Sequence, residues 1–452
     1  MDAAGRERRR PERADRKSAN GGVGSSKKEN RLKPLIIKKE FFMLKFIWDD
    51  IPEKYDDKAL INSILFEPET PEYPLKNNYF IQADNYPALQ KLAENFSSKI
   101  NLIYIDPPYN TGNSFAYNDK FYTGNKYIPS AEPADYHSAW LSFMNRRLKC
   151  AKELLSQNGV IFIAIDQSEL YNLKILCDQI FGEENFVNDF MWLHGKGKKD
   201  TWSRTLQQHT LCYAKNKKEL KPFEETEYSS WATKNVDNDP RGNWFSGSIS
   251  FTENRSNPKH KNYFTIKSPS GIEWTRQWMV SKQQMEELLQ QNKIYFGPAP
   301  EYAGVPRQKI FNDEESKIIP KNIIDCVEST RHAQEHLDSL LGYKGLFENP
   351  KPVDLISHLI EITQLPEDSI IMDFFAGSGT TFESVCALNK KDGGKRKCIL
   401  IQKPEPLQNT KKLADQNNIP FNTIADLCWK RIQMNAREYS EICKKIVLNE
   451  KE

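Results

Sequence analysis

The sequence N-L-I-Y-I-D-P-P-Y-N-T-G occupies residues 101–112 and places an apolar run directly before Asp106, two prolines and Tyr109. Such a run ahead of a double proline predicts a buried parallel strand that ends at the carboxyl edge of a sheet, where open α/β folds place their ligands. Pro107 and Pro108 have no backbone N–H and disfavour helical backbone, so we expect their carbonyls to stay free as hydrogen-bond acceptors.

These groups suit an amino group on a planar ring. The Asp106 carboxylate and a carbonyl can accept its two protons, while Tyr109 stacks on the ring face. A strand end followed by a rigid turn, without chemistry, is the alternative that the tetrapeptide alone leaves open.

The composition is that of a soluble globular protein of 452 residues, long enough for two or three domains. No apolar run approaches the roughly 18 residues that a membrane helix requires, and no apolar core follows the basic N-terminus. We therefore expect a cytoplasmic protein with no membrane partner. The eight cysteines form no C-x-x-C pair, which predicts reduced, mostly structural thiols.

The positive charge of the chain is concentrated in its first 40 residues. They hold 13 lysines and arginines against 6 acidic residues, whereas the remainder holds 51 against 55. Glycine and serine around residues 21–26 and few apolar side chains predict a disordered basic tail over residues 1–40. This tail either attracts polyanions without specificity or is foreign to the native protein.

From residue 79 the chain alternates between apolar strands and amphipathic helices. A strand over residues 79–82 precedes a helix, and the strand before Asp106 precedes a helix over residues 134–156. Asn158-Gly159 ends that helix, and residues 160–165 form another buried strand. This order predicts an α/β fold, with a parallel sheet that carries helices on both faces.

The alternation stops after about residue 190, and a polar region rich in tryptophan and lysine extends to about residue 345. It holds six of the nine tryptophans. Aromatic residues with interleaved basic residues predict a surface that binds nucleic acid, although tryptophans are also common in ordinary cores. The basic residues include Lys196, Lys198, Lys199, Arg204, Lys215, Lys217, Lys218, Arg255, Lys259, Lys261 and Lys267.

Strand and helix patterns then resume, with a helix over residues 353–363 and a strand over 370–372. Asp373 opens the string D-F-F-A-G-S-G-T-T, in which glycines allow backbone close to a ligand before a helix begins. A strand over 398–401 follows, and Gln402 and Glu405 are the candidates for binding a ribose. The string lacks the lysine of a phosphate-binding loop.

Two other patterns are not expected to carry chemistry. Residues 332–336 spell H-x-x-E-H, which some zinc peptidases place on a helix, but no third ligand is evident and we predict no metal. The chain has no Pro-Cys dipeptide, so a cysteine nucleophile for ring-carbon methylation is unsupported. We expect the chemistry at an exocyclic nitrogen.

The motifs D-P-P-Y at residues 106–109 and F-A-G-S-G-T at 375–380 together resemble amino-methylating DNA methyltransferases of the β class, in which the catalytic motif comes first. The string D-P-P-Y-N-T-G-N-S-F-A-Y-N-D is similar to modification (Mod) subunits of type III restriction-modification systems. The resemblance covers about residues 75–440. Its further matches are Y-F-I-Q-A-D-N (79–85), I-F-I-A-I-D (161–166), F-G-E-E-N-F-V (181–187), D-P-R-G-N-W (239–244), F-E-N-P-K-P (347–352) and T-I-A-D-L-C-W-K-R-I (423–432).

The resemblance implies a Rossmann-like S-adenosylmethionine-dependent methyltransferase fold, circularly permuted, with an inserted target-recognition domain. It implies that Asp106 bonds the target amine with help from the Pro107 carbonyl, and that Tyr109, after Pro108, stacks on the base. The cofactor-binding residues that it implies, with Gln402 and Glu405, are Asp84, Phe347, Pro350, Lys351, Asp373, Phe375, Ala376, Gly377, Ser378, Gly379 and Thr380.

The implied activity is methylation of the N6 amine of a flipped adenine in double-stranded DNA. Cytosine-N4 methylation is an alternative, less favoured because Asp rather than Ser opens the tetrapeptide. Because the family usually extends further at both ends, a catalytically impaired recognition subunit that partners a nuclease is another. The implied partners are DNA, a second copy of the chain and a restriction (Res) subunit.

The expected domains follow from the two motifs. They are an N-terminal extension (41–78), the first half of the catalytic domain (79–190), the target-recognition domain (191–345), the second catalytic half (346–415) and a C-terminal helical segment (416–452).

Overall fold

The computed structural model describes residues 46–111, 133–194, 202–228, 232, 234–312, 315–407 and 419–450. The chain divides into two units, residues 1–45 and 46–452, and every described residue belongs to the second. The predicted basic tail therefore lies outside the described residues, as do Trp231, Lys196, Lys198 and Lys199.

The described elements alternate as an α/β chain does. The strands are β1 Ile64–Glu67, β2 Asn78–Gln82, β3 Ile100–Ile105, β4 Leu155–Ile165, β5 Phe186–Leu193, β6 Gln207–Ala214, β7 Glu225–Tyr228, β8 Trp244–Gly247, β9 Tyr263–Lys267, β10 Glu273–Gln277, β11 Ile294–Tyr295, β12 Arg307–Phe311, β13 Glu315–Ile318, β14 Ile323–Ile324, β15 Ile370–Asp373, β16 Lys397–Gln402 and β17 Cys443–Glu450. The α-helices are α1 Lys58–Ser63, α2 Asn85–Phe96, α3 Pro133–Leu154, α4 Leu170–Phe181, α5 Lys282–Gln290, α6 Thr330–Leu341, α7 Val353–Glu361, α8 Thr380–Asp392 and α9 Ile424–Glu438. Short 3-10 helices occupy Lys54–Asp56, Glu183–Asn185, Lys217–Glu219 and Glu253–Arg255.

A ten-stranded, mostly parallel sheet has the order β1-β17-β2-β16-β15-β3-β4-β6-β5-β14. β15 lies between β16 and β3 and is parallel to both, with Met372 opposite Ile103. The carboxyl ends of β2, β3, β15 and β16 therefore meet at one edge of the sheet. Asp106 and Asp373 are neighbours at this edge although they are far apart in the sequence.

Alternate residues of each central strand point to opposite faces, and helices cover both faces. Ile103 and Ile105 pack with α2, α3 and α4, whereas Leu102 and Tyr104 pack with α7, α8 and α9. These strands are apolar throughout because both of their faces are buried. The predicted parallel sheet with helices on both faces is confirmed.

The sheet extends beyond the limits that the sequence suggested. β5 crosses residue 190, β6 follows and is antiparallel to both β4 and β5, and β14 joins β5 in parallel. The C-terminal segment over residues 416–452, predicted to be helical, contains α9 but also a strand, because β17 follows the helix and pairs with both β1 and β2. The helix expected to reach residue 156 ends at Leu154, since Leu155 already pairs with Ile100.

The rest of the middle region forms three small antiparallel sheets and a core of its own. Trp244 and Trp278 are buried, and Trp192 belongs to the core beneath the main sheet, so these tryptophans are structural. Trp202, in contrast, is 93% exposed. Among the described residues, no helix is both long and apolar enough to cross a membrane.

Candidate active site

Asp106 follows directly on β3, and its carboxylate has two close donors. The Tyr109 hydroxyl donates to Asp106 Oδ1. The Lys351 ammonium donates to Asp106 Oδ2 at 2.5 Å and to the Tyr109 hydroxyl at 3.0 Å. Gln208 of β6 donates to the same hydroxyl at 2.7 Å. The tyrosine is thus held through its hydroxyl, and the Asp106 side chain remains 28% exposed.

The loop that carries Asp106 is anchored from α3 and α4. Trp140 Nε1 donates to the Pro108 carbonyl at 2.7 Å, so the expectation that both proline carbonyls are free was wrong. Asn110 has a φ of +59° and donates to the buried Glu169 carboxylate at 2.6 Å. His137 Nδ1 contacts the same carboxylate oxygen at 2.6 Å. The Pro107 carbonyl is left as the candidate acceptor for an amine.

The turn between β15 and α8 brings bare backbone to the same edge of the sheet. Gly377 and Gly379 have φ values of +53° and +85°, which side-chain-bearing residues rarely adopt. A Cβ at Gly377 would lie 3.1 Å from the ring of Phe347. The Gly377 N–H donates to Gln402 Oε1 at 2.7 Å, so Gln402 supports the turn rather than standing free for a ribose.

Asp373, at the end of β15, is 3% exposed beneath the turn. Burial raises the pKa of its carboxyl to about 7, and hydrogen bonds from the Thr381 hydroxyl and the Phe375 N–H oppose this rise. Asp106 acts in the same direction as burial because its negative charge is close by. Through these two hydrogen bonds Asp373 is a structural acceptor for the turn.

Asp84 lies at the N-terminus of α2, where its side chain accepts from Tyr86 N at 3.0 Å. Burial raises the pKa of this carboxyl, but Arg147 and Lys403 outweigh burial and lower it overall. Arg147, 1% exposed, also donates to Asn85, which in turn donates to the Phe374 carbonyl at 2.7 Å. The start of α2 is thereby tied to the glycine turn, with an ionised carboxylate at the cavity.

A buried network behind the turn comes from α6, α8 and α9. Arg431 donates to the hydroxyls of Ser378 and Thr380, both at 2.9 Å, and to Glu383 at 2.9 Å. His336 Nε2 contacts Glu383 at 2.6 Å. His336, the last residue of the H-x-x-E-H string, therefore pairs with a carboxylate on α8. Its hydrogen bond to Glu383 raises the pKa of His336.

A single cavity joins the two motifs. Its wall includes Asp106 and Lys351, Asp84 and Lys403, and the turn at Gly377. The predicted site residues that line it are Asp84, Asp106, Pro108, Phe347, Lys351, Asp373, Phe375, Ala376, Gly377, Ser378, Thr380, Gln402 and Glu405.

The other four predicted residues are not part of this wall. Pro107 and Pro350 are buried, Tyr109 is held by its hydroxyl bonds, and Gly379 packs against Cys428. Lys351 was predicted to close the cofactor pocket, but its ammonium lies on the Asp106 carboxylate.

Several residues of the site were missed. Arg147, Gln208 and Arg431 act from elements distant in sequence, and only Arg431 stood in a string that the sequence singled out. The aromatic rings of Phe143 and Phe375, 5.9 Å apart, line the cavity together with charged groups. Such a cavity suits a ligand with a flat apolar part and charged or polar ends.

Comparison with known proteins identifies close sequence relatives. The family model described as DNA methylase matches residues 100–410. The type III restriction-modification enzyme StyLTI Mod subunit of Salmonella typhimurium (strain LT2) is 30% identical over 439 residues, covering 92% of this chain and 66% of that protein. The EcoPI Mod subunit of Escherichia phage P1 is 34% identical over 418 residues, covering 79% and 62%.

A type II relative matches over more of its own length. The type II methyltransferase M.KpnI of Klebsiella pneumoniae is 29% identical over 376 residues, covering 77% of this chain and 85% of that protein. In comparison with the two Mod subunits, the chain spans just under two thirds of their length, at 66% and 62%.

Proposed function

Because the chain belongs to the DNA methylase family, we propose that it transfers a methyl group from S-adenosylmethionine to the N6 amine of adenine in double-stranded DNA. The observation that carries this proposal is the shared cavity, in which Asp106 meets the glycine turn at Gly377. The two Mod-subunit relatives support a place in a type III restriction-modification system, with a Res subunit as a further partner.

The residues of the turn fit S-adenosylmethionine. A Cβ at Gly377 would fill space against Phe347, so the glycine keeps the backbone accessible there for the methionine part. Asp84 and Glu405, both in the cavity wall, would accept hydrogen bonds from the adenosine part. When bound, this cofactor supplies an electrophilic sulfonium methyl group.

The chain's own residues would prepare the amine for attack. An exocyclic amine is a weak nucleophile because its lone pair is delocalised into the ring. Hydrogen bonds to Asp106 and the Pro107 carbonyl favour a pyramidal nitrogen and release that lone pair. Lys351 donates to Asp106 Oδ2 and holds the carboxylate in place, while a second lone pair on that oxygen would accept an N–H of the arriving amine.

The target base must leave the duplex to reach this cavity, at a cost of a few kcal/mol that stacking on Tyr109 offsets. Residues 191–345 would hold the flanking duplex as the target-recognition domain. Trp202 and Arg204, two residues apart in the sequence, are both exposed. A second group of exposed basic residues consists of Arg255, Lys259 and Lys261. Basic side chains neutralise phosphates, and an exposed indole can pack on sugars or bases.

The test is transfer of labelled methyl groups from S-adenosylmethionine into duplex DNA of mixed sequence, followed by analysis of the nucleosides. We expect N6-methyladenine, and N4-methylcytosine in its place would select the alternative target. Absence of transfer at every ionic strength, with DNA binding retained, would select the impaired recognition subunit.

Asp106→Ala should abolish transfer and leave cofactor binding largely intact. Asp166→Ala is the matched control, because Asp166 also follows a buried strand of the same sheet, β4, but does not line the cavity. Transfer by Asp106→Ala at the control rate would remove the role given to Asp106. We further propose that two copies associate, for which light scattering should give twice the mass of 52.5 kDa.

A further inference from the structure

A cluster of three metal-ligand types lies outside the active site. Glu225 of β7, Cys326 after β14 and His358 of α7 each offer one ligand atom, and these atoms lie within 4.8 Å of one another. Glu225 and His358 are half-buried and Cys326 is exposed, so solvent reaches the cluster. The three residues come from three separate elements.

Backbone contacts hold the three elements together before any ion binds. Glu224 N donates to the Ile362 carbonyl at 3.0 Å, which fixes the start of β7 against the end of α7. Glu328 N donates to Asp354 Oδ2 at 2.7 Å, which fixes the loop of Cys326 against the first turn of α7. The cluster is therefore largely preorganised by contacts that do not use its own side chains.

Asp354 adds a second indication of a cation. It lies four residues before His358 on α7, so both side chains occupy one face of the helix. Its Oδ1 atom is buried and has no hydrogen-bond partner among the described residues. The charged groups that act on Cys326 and His358 are all carboxylates: Glu225, Asp325, Asp354 and Glu361.

We propose that Glu225, Cys326 and His358 bind a divalent transition-metal ion, with Zn²⁺ as the expected occupant. Sulfur, imidazole and carboxylate ligands together match the preferences of Zn²⁺, whereas Mg²⁺ and Ca²⁺ take oxygen ligands. In tetrahedral geometry, metal–ligand bonds of about 2.0–2.3 Å place two ligand atoms roughly 3.3–3.8 Å apart. The ligand atoms, now within 4.8 Å of one another, would move closer together when the ion binds.

The proposed ion would join β7 and the Cys326 loop, from the middle region, to α7. The segment directly before α7 carries Lys351, which contacts Asp106. Glu225, Cys326 and His358 do not line the active-site cavity, so the proposed ion would have a structural role. The expected consequences are tighter attachment of β7 to α7 and a higher Tm with Zn²⁺ than with Mg²⁺.

The test titrates the full chain, freed of metal with a chelator, with Zn²⁺ by calorimetry and with Co²⁺ by absorption spectroscopy. We expect one ion per chain and a thiolate-to-cobalt charge-transfer band in the near ultraviolet. Cys326→Ser should remove that band, and His358→Gln should weaken Zn²⁺ binding at least about 100-fold. Asp354→Asn should weaken it about tenfold, as expected for an outer neighbour of a metal site.

Cys150→Ser and His332→Gln are the matched controls and should bind like the unaltered chain. His332→Gln also tests the H-x-x-E-H string on α6. Stoichiometric Zn²⁺ binding that survives both Cys326→Ser and His358→Gln would place the ion elsewhere and overturn the proposal, as would the absence of binding. These measurements do not involve methyl transfer, so they test the metal site independently of the proposed function.

Discussion

Arg431 offers the sharpest test of how the glycine turn is supported. Its side chain is 1% exposed and joins Glu383, itself 6% exposed, to the hydroxyls of Ser378 and Thr380. Arg431→Met keeps much of the apolar volume but removes the charge and all of these hydrogen bonds. The buried carboxylate of Glu383 then loses its guanidinium partner.

The magnitude follows from what remains around Glu383. Removing one partner of a buried ion pair costs about 3–5 kcal/mol in the free energy of unfolding. His336 and Asn435 still contact the carboxylate at 2.6 and 2.9 Å, so we expect the lower end, about 3 kcal/mol. Ser378 and Thr380 lose their anchor, which should weaken binding of S-adenosylmethionine about tenfold, or roughly 1.4 kcal/mol.

The assay pairs urea unfolding with calorimetric titration of S-adenosylmethionine. Arg437→Met is the matched control, because Arg437 is exposed on the same helix and should lose less than about 1 kcal/mol. Arg431→Lys should fall between the two. Equal stability and equal cofactor affinity in Arg431→Met and Arg437→Met would refute the supporting role of Arg431.

The dependence of the free energy of unfolding on pH at acid values gives an independent test of the Arg431–Glu383 pair. Burial raises the pKa of Glu383, but His336 and Arg431 outweigh burial and hold it at about 2. The contribution of Glu383 to stability is therefore present above its unfolded pKa near 4.5 and is lost as pH falls toward about 2. In Arg431→Met this loss should begin at a higher pH.

Three further predictions concern the cavity. Lys351→Met should reduce methyl transfer about 100-fold because Asp106 loses its orientation, while calorimetry should show nearly unchanged cofactor affinity. If the transfer rate and the cofactor affinity fell equally, Lys351 would instead act in cofactor binding. Burial raises the pKa of Asp373 from 3.8 to about 7, so the free energy of unfolding should fall by up to about 4 kcal/mol as pH rises from about 4 to 8. Asp373→Asn should remove this pH dependence, as measured by urea unfolding across that range. Gly377→Ala should lower cofactor affinity, because the added Cβ crowds Phe347 and strains the backbone. Gly393→Ala is the control: its φ is +75° and no atom lies within 4 Å of an added Cβ, so backbone strain should lower its stability without changing cofactor affinity.

The parts of the site that sequence could predict are those encoded locally. The apolar run before Asp106 and the strand before Asp373 each specify a buried strand and its exit, and two parallel strands must open at one edge. The expectation that Asp106 and Gly377 serve one site came from the resemblance of the two motifs to DNA methyltransferases. The Pro108 carbonyl was misjudged because its donor, Trp140, is a helix residue whose indole N–H has no local signature.

The parts that sequence could not predict depend on which distant elements become neighbours. The position of Lys351 on Asp106 requires the segment before α7 to cross the end of β3. The sequence of β17, C-K-K-I-V-L-N-E, carries no sign of which strands it will pair with. The cluster of Glu225, Cys326 and His358 likewise has no spacing that a motif could capture.

The position of β3 between β4 and β15 has a consequence for how the protein is made. β4 emerges soon after β3, but β15 emerges only after the entire middle region has been synthesised. One edge of β3 is therefore unpaired on the ribosome for most of translation, and unpaired strand edges readily associate with other chains. A chain interrupted in the middle region would carry Asp106 without its glycine turn, so it would be inert and prone to aggregate. The cavity that joins Asp106 to the glycine turn thus forms late, only when the final third of the chain has been synthesised.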